Sequence, residues 1–288
     1  MLLECITDAL KDSRRLVPFL FRTYLAMETL EHHTGGKVQA KISRAGMSGP
    51  LWGGLLGVIP QCGISAAASS FYAGKVITIG TLLAVYLSTS DEMLPILLSE
   101  QVPGGAVVKI LVIKVMIAII SGFAVELVYR RFFHHKKDNI DIHTICEEEH
   151  CSCEDGILKS AIRHTVVISA YIFAISAVLN VLIGLIGEDA IAGLFRNRIV
   201  VGEMIAALIG LIPNCASSVV ITQLYLHHII GPGAMMSGLL VNAGVGLLIL
   251  FRLKHNLKRN LQTAGLLYGL GVFWGIVIEL SGILGNLV

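Results

Sequence analysis

From Met204 to Phe251 the chain runs 48 residues without an Asp, Glu, Lys or Arg. A second charge-free run covers the 30 residues from Ala45 to Gly74. A helix needs about 20 apolar residues to cross a bilayer, so runs of this length fit a chain that threads a membrane repeatedly. Composition agrees: 55% of the residues are hydrophobic, 15% are charged, and the mean hydropathy is +0.76. Soluble domains carry about 25% charged residues. A soluble enzyme, a nucleic-acid binder and a disordered chain are therefore excluded. An outer-membrane barrel would alternate polar and apolar residues, and these runs do not. The remaining class is an all-α polytopic membrane protein of the cell (plasma or inner) membrane.

The net charge of +2 implies no global electrostatic partner. No secretory signal is expected from the N-terminus, which mixes acids and bases and lacks an apolar core and cleavage site. Leu2, Leu3, Ile6 and Leu10 would share one face of a short interfacial helix. The six cysteines are scattered between apolar runs and one polar loop, unlike a disulfide framework.

The chain also repeats itself. Gly57-Val58-Ile59-Pro60-Gln61-Cys62 matches Gly210-Leu211-Ile212-Pro213-Asn214-Cys215 at an offset of 153. Ser65, Tyr72, Gly80 and Leu87 recur as Ser218, Tyr225, Gly233 and Leu240, and Gly122 and Glu126 as Gly275 and Glu279. Between 57–96 and 210–249, 11 of 40 aligned pairs are identical without a gap, which identifies two related halves. The first repeat is 1–129, a polar linker occupies 130–156, and the second repeat is 157–288. Apolar segments are expected at 16–30, 47–74, 76–100 and 105–129, then at 164–187, 199–226, 229–251 and 261–285.

Pro60 and Pro213 break their segments. A limb such as 202–212 rises only ~16 Å, about half a bilayer, which suits a re-entrant hairpin. The positive-inside rule favours the same reading. With Arg130, Arg131, Lys136, Lys137, Lys159 and Arg163 in the cytoplasm, hairpins bring Arg252, Lys254, Lys258 and Arg259 to that side. Lys37, Lys41, Arg44 and Lys75 follow. Lys11, Arg14 and Arg15 fall outside, against the rule. Each half then has three spans plus one re-entrant helical hairpin, and an odd number of spans makes the two structural repeats inverted. Such repeats with broken helices place substrate near the midplane of secondary transporters.

Candidate substrate-binding residues gather at the breaks. Gln61, Cys62 and Ser65, with Asn214, Cys215 and Ser218, supply amide, thiol and hydroxyl groups. The competing reading is close packing of small residues. Ser88, Thr89, Asp91 and Glu92 interrupt the segment 76–98, where carboxylates are costly and mark ion or proton sites; otherwise they form an outer loop. Asn242 lies in the corresponding stretch of the second half. Glu28 and Glu31, and the repeat pair Glu126 and Glu279, are candidates for proton or ion coupling or, equally, interfacial positions. In the linker, His143, Cys146, His150, Cys151 and Cys153 form a metal-gathering or sensing set. Their spacing fits no structural zinc module, and a plain solvated linker is the alternative. His227 and His228 are read as interfacial.

The paired Pro-Gln-Cys-Gly and Pro-Asn-Cys-Ala-Ser-Ser segments, the Ser-Thr-Ser-Asp-Glu-x-x-Pro stretch and the His/Cys/Glu-rich linker resemble the ten-helix heavy-metal exporter family. Its members are also labelled arsenic efflux proteins or manganese transporters. The resemblance implies membrane export of a metal ion or metalloid. Counting each hairpin as two helices gives five per half, in keeping with the family's ten. The carboxylates favour a divalent, Mn-like cation as substrate, while the two thiols and the hairpin N-termini suit an arsenical or organic-anion efflux permease. A membrane-embedded enzyme is disfavoured, because no hydrolase or nucleotide-binding motif occurs. No bound cofactor and no nucleic acid are expected. The expected partners are the lipid bilayer, the substrate and a coupling ion, with protons the simplest choice. A homodimer is compatible with the sequence.

Overall fold

Glycine and proline punctuate this apolar chain into helices whose lengths and breaks the computed structural model gives directly. It describes residues 48–59, 62–74, 76–90, 93–132, 199–253 and 257–285, with scattered positions in 17–25 and 162–174. The first half contains α1 (Gly49–Gly57), α2 (Cys62–Ala73), α3 (Ile79–Ser88), α4 (Met93–Ser99) and α5 (Gly104–Phe132). The second contains α6 (Ile199–Gly210), α7 (Cys215–Leu226), α8 (Pro232–Val241), α9 (Val245–Leu253) and α10 (Leu257–Ser281). No strand occurs among the described residues. Among the described residues, four stretches are long and apolar enough to cross a membrane: 79–99, 104–131, 232–253 and 257–281. Val108, Val112, Met116 and Leu127 on α5, and Leu266, Phe273 and Leu280 on α10, leave apolar side chains on the outside. In water such a surface would be an aggregation hazard; in lipid it is the matching solvent. The protein is a multi-pass membrane protein.

The expected interruptions occur. The chain leaves α1 after Gly57 and resumes a helix at Cys62; it leaves α6 after Gly210 and resumes at Cys215. The long segments following each are broken too, α3 ending at Ser88 and α8 at Val241. At the second of these breaks Gly244 takes φ +53°, and its N–H donates to Asn242 Oδ1 at 2.9 Å. The last helix spans 257–281 rather than 261–285. Gly282 at φ +62° ends it, with its N–H donating to the Ile278 carbonyl at 3.1 Å, the usual glycine termination. The expected segments at 16–30 and 164–187 lie outside the described residues apart from scattered helical positions.

Small residues set the packing. Gly53 faces Thr81 and Val85, and Gly57 faces Val85 and Ser88, so α1 and α3 run parallel. A Cβ on Gly122 would meet the Gly80 carbonyl at 2.8 Å; one on Gly275 would meet the Gly233 carbonyl at 2.8 Å. These repeat-related pairs hold α3 on α5 and α8 on α10, with backbones as close as small residues allow. Contacts among the described residues also join the halves. Helix α2 lies along α9, with Gly246 pressed on Ser65. Trp274 Nε1 donates to Ser121 Oγ at 2.8 Å. Ser121 and Trp274 are themselves equivalent under the offset of 153.

Candidate functional site

A proline and a run of small polar residues leave the first turn of α2 without the apolar bulk that would send it to lipid. Ser65, Ser69 and Ser70 on α2 are all buried. Ser69 is fully enclosed, and its Oγ lies 2.7 Å from the Ser65 carbonyl, 2.6 Å from the Gly246 carbonyl and 2.7 Å from Tyr86 Oη. One hydroxyl thus touches its own helix, α3 of the same half and α9 of the other. The repeat partner Thr222 makes the equivalent local bond, Oγ1 to the Ser218 carbonyl at 2.7 Å. At the start of α7, Ser217 Oγ donates to the Asn214 carbonyl at 2.7 Å, and Asn214, Ser217 and Ser218 are buried.

The break after α3 is equally enclosed. Ser88 and Thr89 hydroxyls donate to the Val85 carbonyl at 3.0 and 2.8 Å, and Ser90 Oγ donates to the Ser88 carbonyl at 3.0 Å. Their protons are directed at backbone, so the oxygens present lone pairs. That arrangement suits a cation better than an oxyanion. Asn242 is buried in the corresponding break of the second half. Buried polar groups in this number are expensive unless bonded or functional.

Two charged residues belong to this account that sequence reasoning did not single out. Lys114 on α5 is 1% exposed, and its Nζ donates to the Thr89 carbonyl at the end of α3. Glu203 on α6 is also 1% exposed. Each is a charge within an apolar helix, and that alone was signal enough. Lys114 was masked by the length of its span, and Glu203 by its place at the edge of the charge-free run. Tyr86 and Ser69 carried no such signal, since neither matches a residue of the same type in the other half.

Glu126 and Glu279 occupy equivalent places. Glu126 lies against Gly80 at the start of α3, with Arg130 Nε donating to Oε1 at 2.8 Å. Glu279 Oε2 accepts the Gly233 N–H at 2.7 Å at the start of α8. Both sit where a helix N-terminus favours negative charge. They are separate from the polar groups at the breaks. His227 and His228 are exposed, in keeping with the interfacial reading.

Glu28, Glu31, Gln61, Asp91 and Glu92 lie outside the described residues, as do His143, Cys146, His150, Cys151 and Cys153 and the side chains of Cys62 and Cys215. Among the described residues no group of three or more His, Cys, Asp or Glu is arranged to hold a metal ion.

The sequence profile of the family described as "Putative, 10TM heavy-metal exporter" matches residues 1–151. No curated protein and no solved structure matches the chain. The match covers more than half of the 288 residues and contains α1 to α5 with the first break and the hydroxyl cluster. This multi-pass helical protein therefore belongs to the ten-transmembrane heavy-metal exporter family.

Proposed function

We propose that the protein is a proton-coupled secondary transporter that exports a divalent, Mn-like cation through a site at the bilayer midplane. The observation that carries this reading is the enclosure of hydroxyl and amide groups from both halves at the helix breaks, inside a protein with an apolar exterior. Asp91 and Glu92 follow directly on the buried Ser88-Thr89-Ser90 turn in sequence and supply the negative charge. Gln61, Cys62, Asn214 and Cys215, at the two hairpin tips, supply softer ligands. Hard oxygen donors with one or two thiols suit a borderline divalent ion.

In this reading α1–α2 and α6–α7 are re-entrant hairpins. Helix α1 has 9 residues and rises only ~14 Å, half a bilayer. It runs parallel to α3, so α2 has to carry the chain back between them. The two halves are inverted. The contact between the equivalent residues Ser121 and Trp274 supports a two-fold relation, since residues meet their own counterparts only near such an axis. Alternating access would then be a rocking of one half against the other around the breaks. The His/Cys/Glu linker would gather metal at the cytoplasmic entrance.

One observation favours a second reading, an arsenical or organic-anion permease. Lys114 brings a buried positive charge to the Thr89 break. Flux in inverted vesicles with an imposed gradient separates the two. Mn²⁺ accumulation that Asp91→Asn abolishes, with normal insertion, is the expected result. Arsenite accumulation without Mn²⁺ flux, unaffected by Asp91→Asn and lost in Lys114→Leu, would establish the second reading.

A further inference from the structure

Helix α3 ends at Ser88, and the carbonyls at such an end have no further turn of helix to bond. Lys114 reaches that end from α5, and its buried Nζ donates to the Thr89 carbonyl. The C-terminal end of a helix carries partial negative charge and favours a cation. Helices α1, α3 and α4, which pack on α5, bring no acidic side chain of their own. In sequence the acids nearest Thr89 are Asp91 and Glu92, which lie outside the described residues.

The plain reading is a cap, an ammonium that closes a helix end. The second half argues against it. There α8 ends at Val241, and Asn242, the counterpart of Thr89, closes the break with its own side chain, Oδ1 accepting the Gly244 N–H at 2.9 Å. Leu267 takes the place of Lys114 and is fully buried. The fold therefore ends this helix without a cation. The rest of the break changes in step. Ser88, Ser90, Asp91 and Glu92 correspond to Val241, Ala243, Gly244 and Val245. The two serines, the acids and the ammonium are present together in one half and absent together from the other. The ammonium thus accompanies the oxygen-rich break, not the helix end.

An ammonium and a hard metal ion need the same partners, oxygen lone pairs. The Thr89 carbonyl offers them, and the Ser88, Thr89 and Ser90 hydroxyls, with their protons turned to backbone, offer more. Two cations in contact repel each other strongly out of water. A divalent ion and the Lys114 ammonium therefore cannot share the Thr89 carbonyl.

We propose that Lys114 is the resident cation of this site: its ammonium holds the Thr89 carbonyl while substrate is absent and is displaced when a divalent cation binds. The inference rests on the cation-exporter reading and adds a competitor to it. No proton is gained or lost, because the flexible four-carbon stem lets Nζ leave the carbonyl with its charge intact. On release the ammonium returns to its seat and helps to expel the ion. Without it the ion binds more tightly and leaves more slowly.

Thermal stabilisation of the full chain in nanodiscs, titrated with Mn²⁺, reads the competition, since a ligand raises stability with the ratio of its concentration to Kd. Lys114→Leu should bind Mn²⁺ about tenfold more tightly than the wild type, equivalent to about 1.4 kcal/mol, although it melts earlier without metal. Lys114→Met, which keeps an unbranched chain, should do the same and replaces the leucine variant if that one fails to fold. Lys109→Leu should bind as the wild type does. A cap alone would lower the melting temperature and leave the Mn²⁺ affinity unchanged; that result overturns the proposal and leaves the exporter reading intact. Weaker Mn²⁺ binding by the Lys114 variants does the same. If Mn²⁺ stabilises neither the wild type nor the variants, the exporter reading falls and the proposal with it. Arsenite that then stabilises the wild type but not Lys114→Met would make the ammonium a partner of the substrate, not its rival.

Discussion

Lys114 is the residue whose chemistry departs furthest from its surroundings. An ammonium at the centre of a spanning helix costs about 2.5–3.5 kcal/mol on insertion scales. The equivalent position in the second half, Leu267, is apolar and fully buried. Lys114→Leu should insert but melt earlier in detergent, because a hydrogen bond to a charged group contributes about 1.5–3 kcal/mol to stability. Its transport should fall as well, because the Thr89 break loses the charge bonded to it. Lys109, exposed on the same helix, is the control, and Lys109→Leu should transport normally. Equal activity of both variants in vesicles would reduce Lys114 to a structural cation. At this scale the sequence conveys the kind of residue but not its bonding. Serine, threonine and asparagine at the breaks can be read directly. Whether a hydroxyl faces a ligand or a backbone carbonyl depends on the local turn, and Ser88, Thr89 and Ser90 all chose carbonyls.

Among helices, the determinant is how closely backbones approach. Gly275 lies on the Gly233 carbonyl and the Ser237 side chain, whereas Gly265, earlier on the same helix, has open space around it. Gly275→Val should destabilise the fold by about 1–3 kcal/mol through overpacking. Gly265→Ala should be neutral or stabilising by about 0.5–1 kcal/mol, as alanine suits a helix better than glycine. Chemical unfolding of the two purified variants in mixed micelles checks both. If they unfold alike, the glycine contacts are incidental. The helix breaks at Pro60 and Pro213 could be anticipated because proline enforces them. The break after Val241 could be anticipated only from its partner at Ser88, since Asn-Ala-Gly is compatible with helix. The apolar segment expected to end at 285 runs four residues past the end of α10 at Ser281, because a glycine's φ, unlike a proline's, is not fixed by its chemistry.

For the molecule as a whole, the parallel course of α1 and α3 and the Ser121–Trp274 contact bear on topology. In a chain without native cysteines, Ile140→Cys and Asn256→Cys should react with an impermeant maleimide only from the cytoplasmic face, and Gly104→Cys only from outside. Labelling of 140 and 256 from opposite faces would remove the hairpins and the inversion together. The duplication is plain in the sequence, but how the two copies dock is not, because the docking groups do not repeat. Ser69 touches Tyr86 and Gly246; Thr222 and Leu239 stand at the positions equivalent to Ser69 and Tyr86. Ser69 has one hydroxyl proton and two carbonyls competing for it, Ser65 in its own helix and Gly246 across the divide, so Tyr86 has to be the donor in their shared bond. The grip between the halves at this point is therefore exchangeable. If α2 slides away from α9, the proton swings to Ser65, Tyr86 follows, and the serine keeps its full complement of bonds. Loss of the Gly246 bond would thus leave the Ser69 proton with the Ser65 carbonyl as its acceptor, and no hydroxyl would be left unbonded.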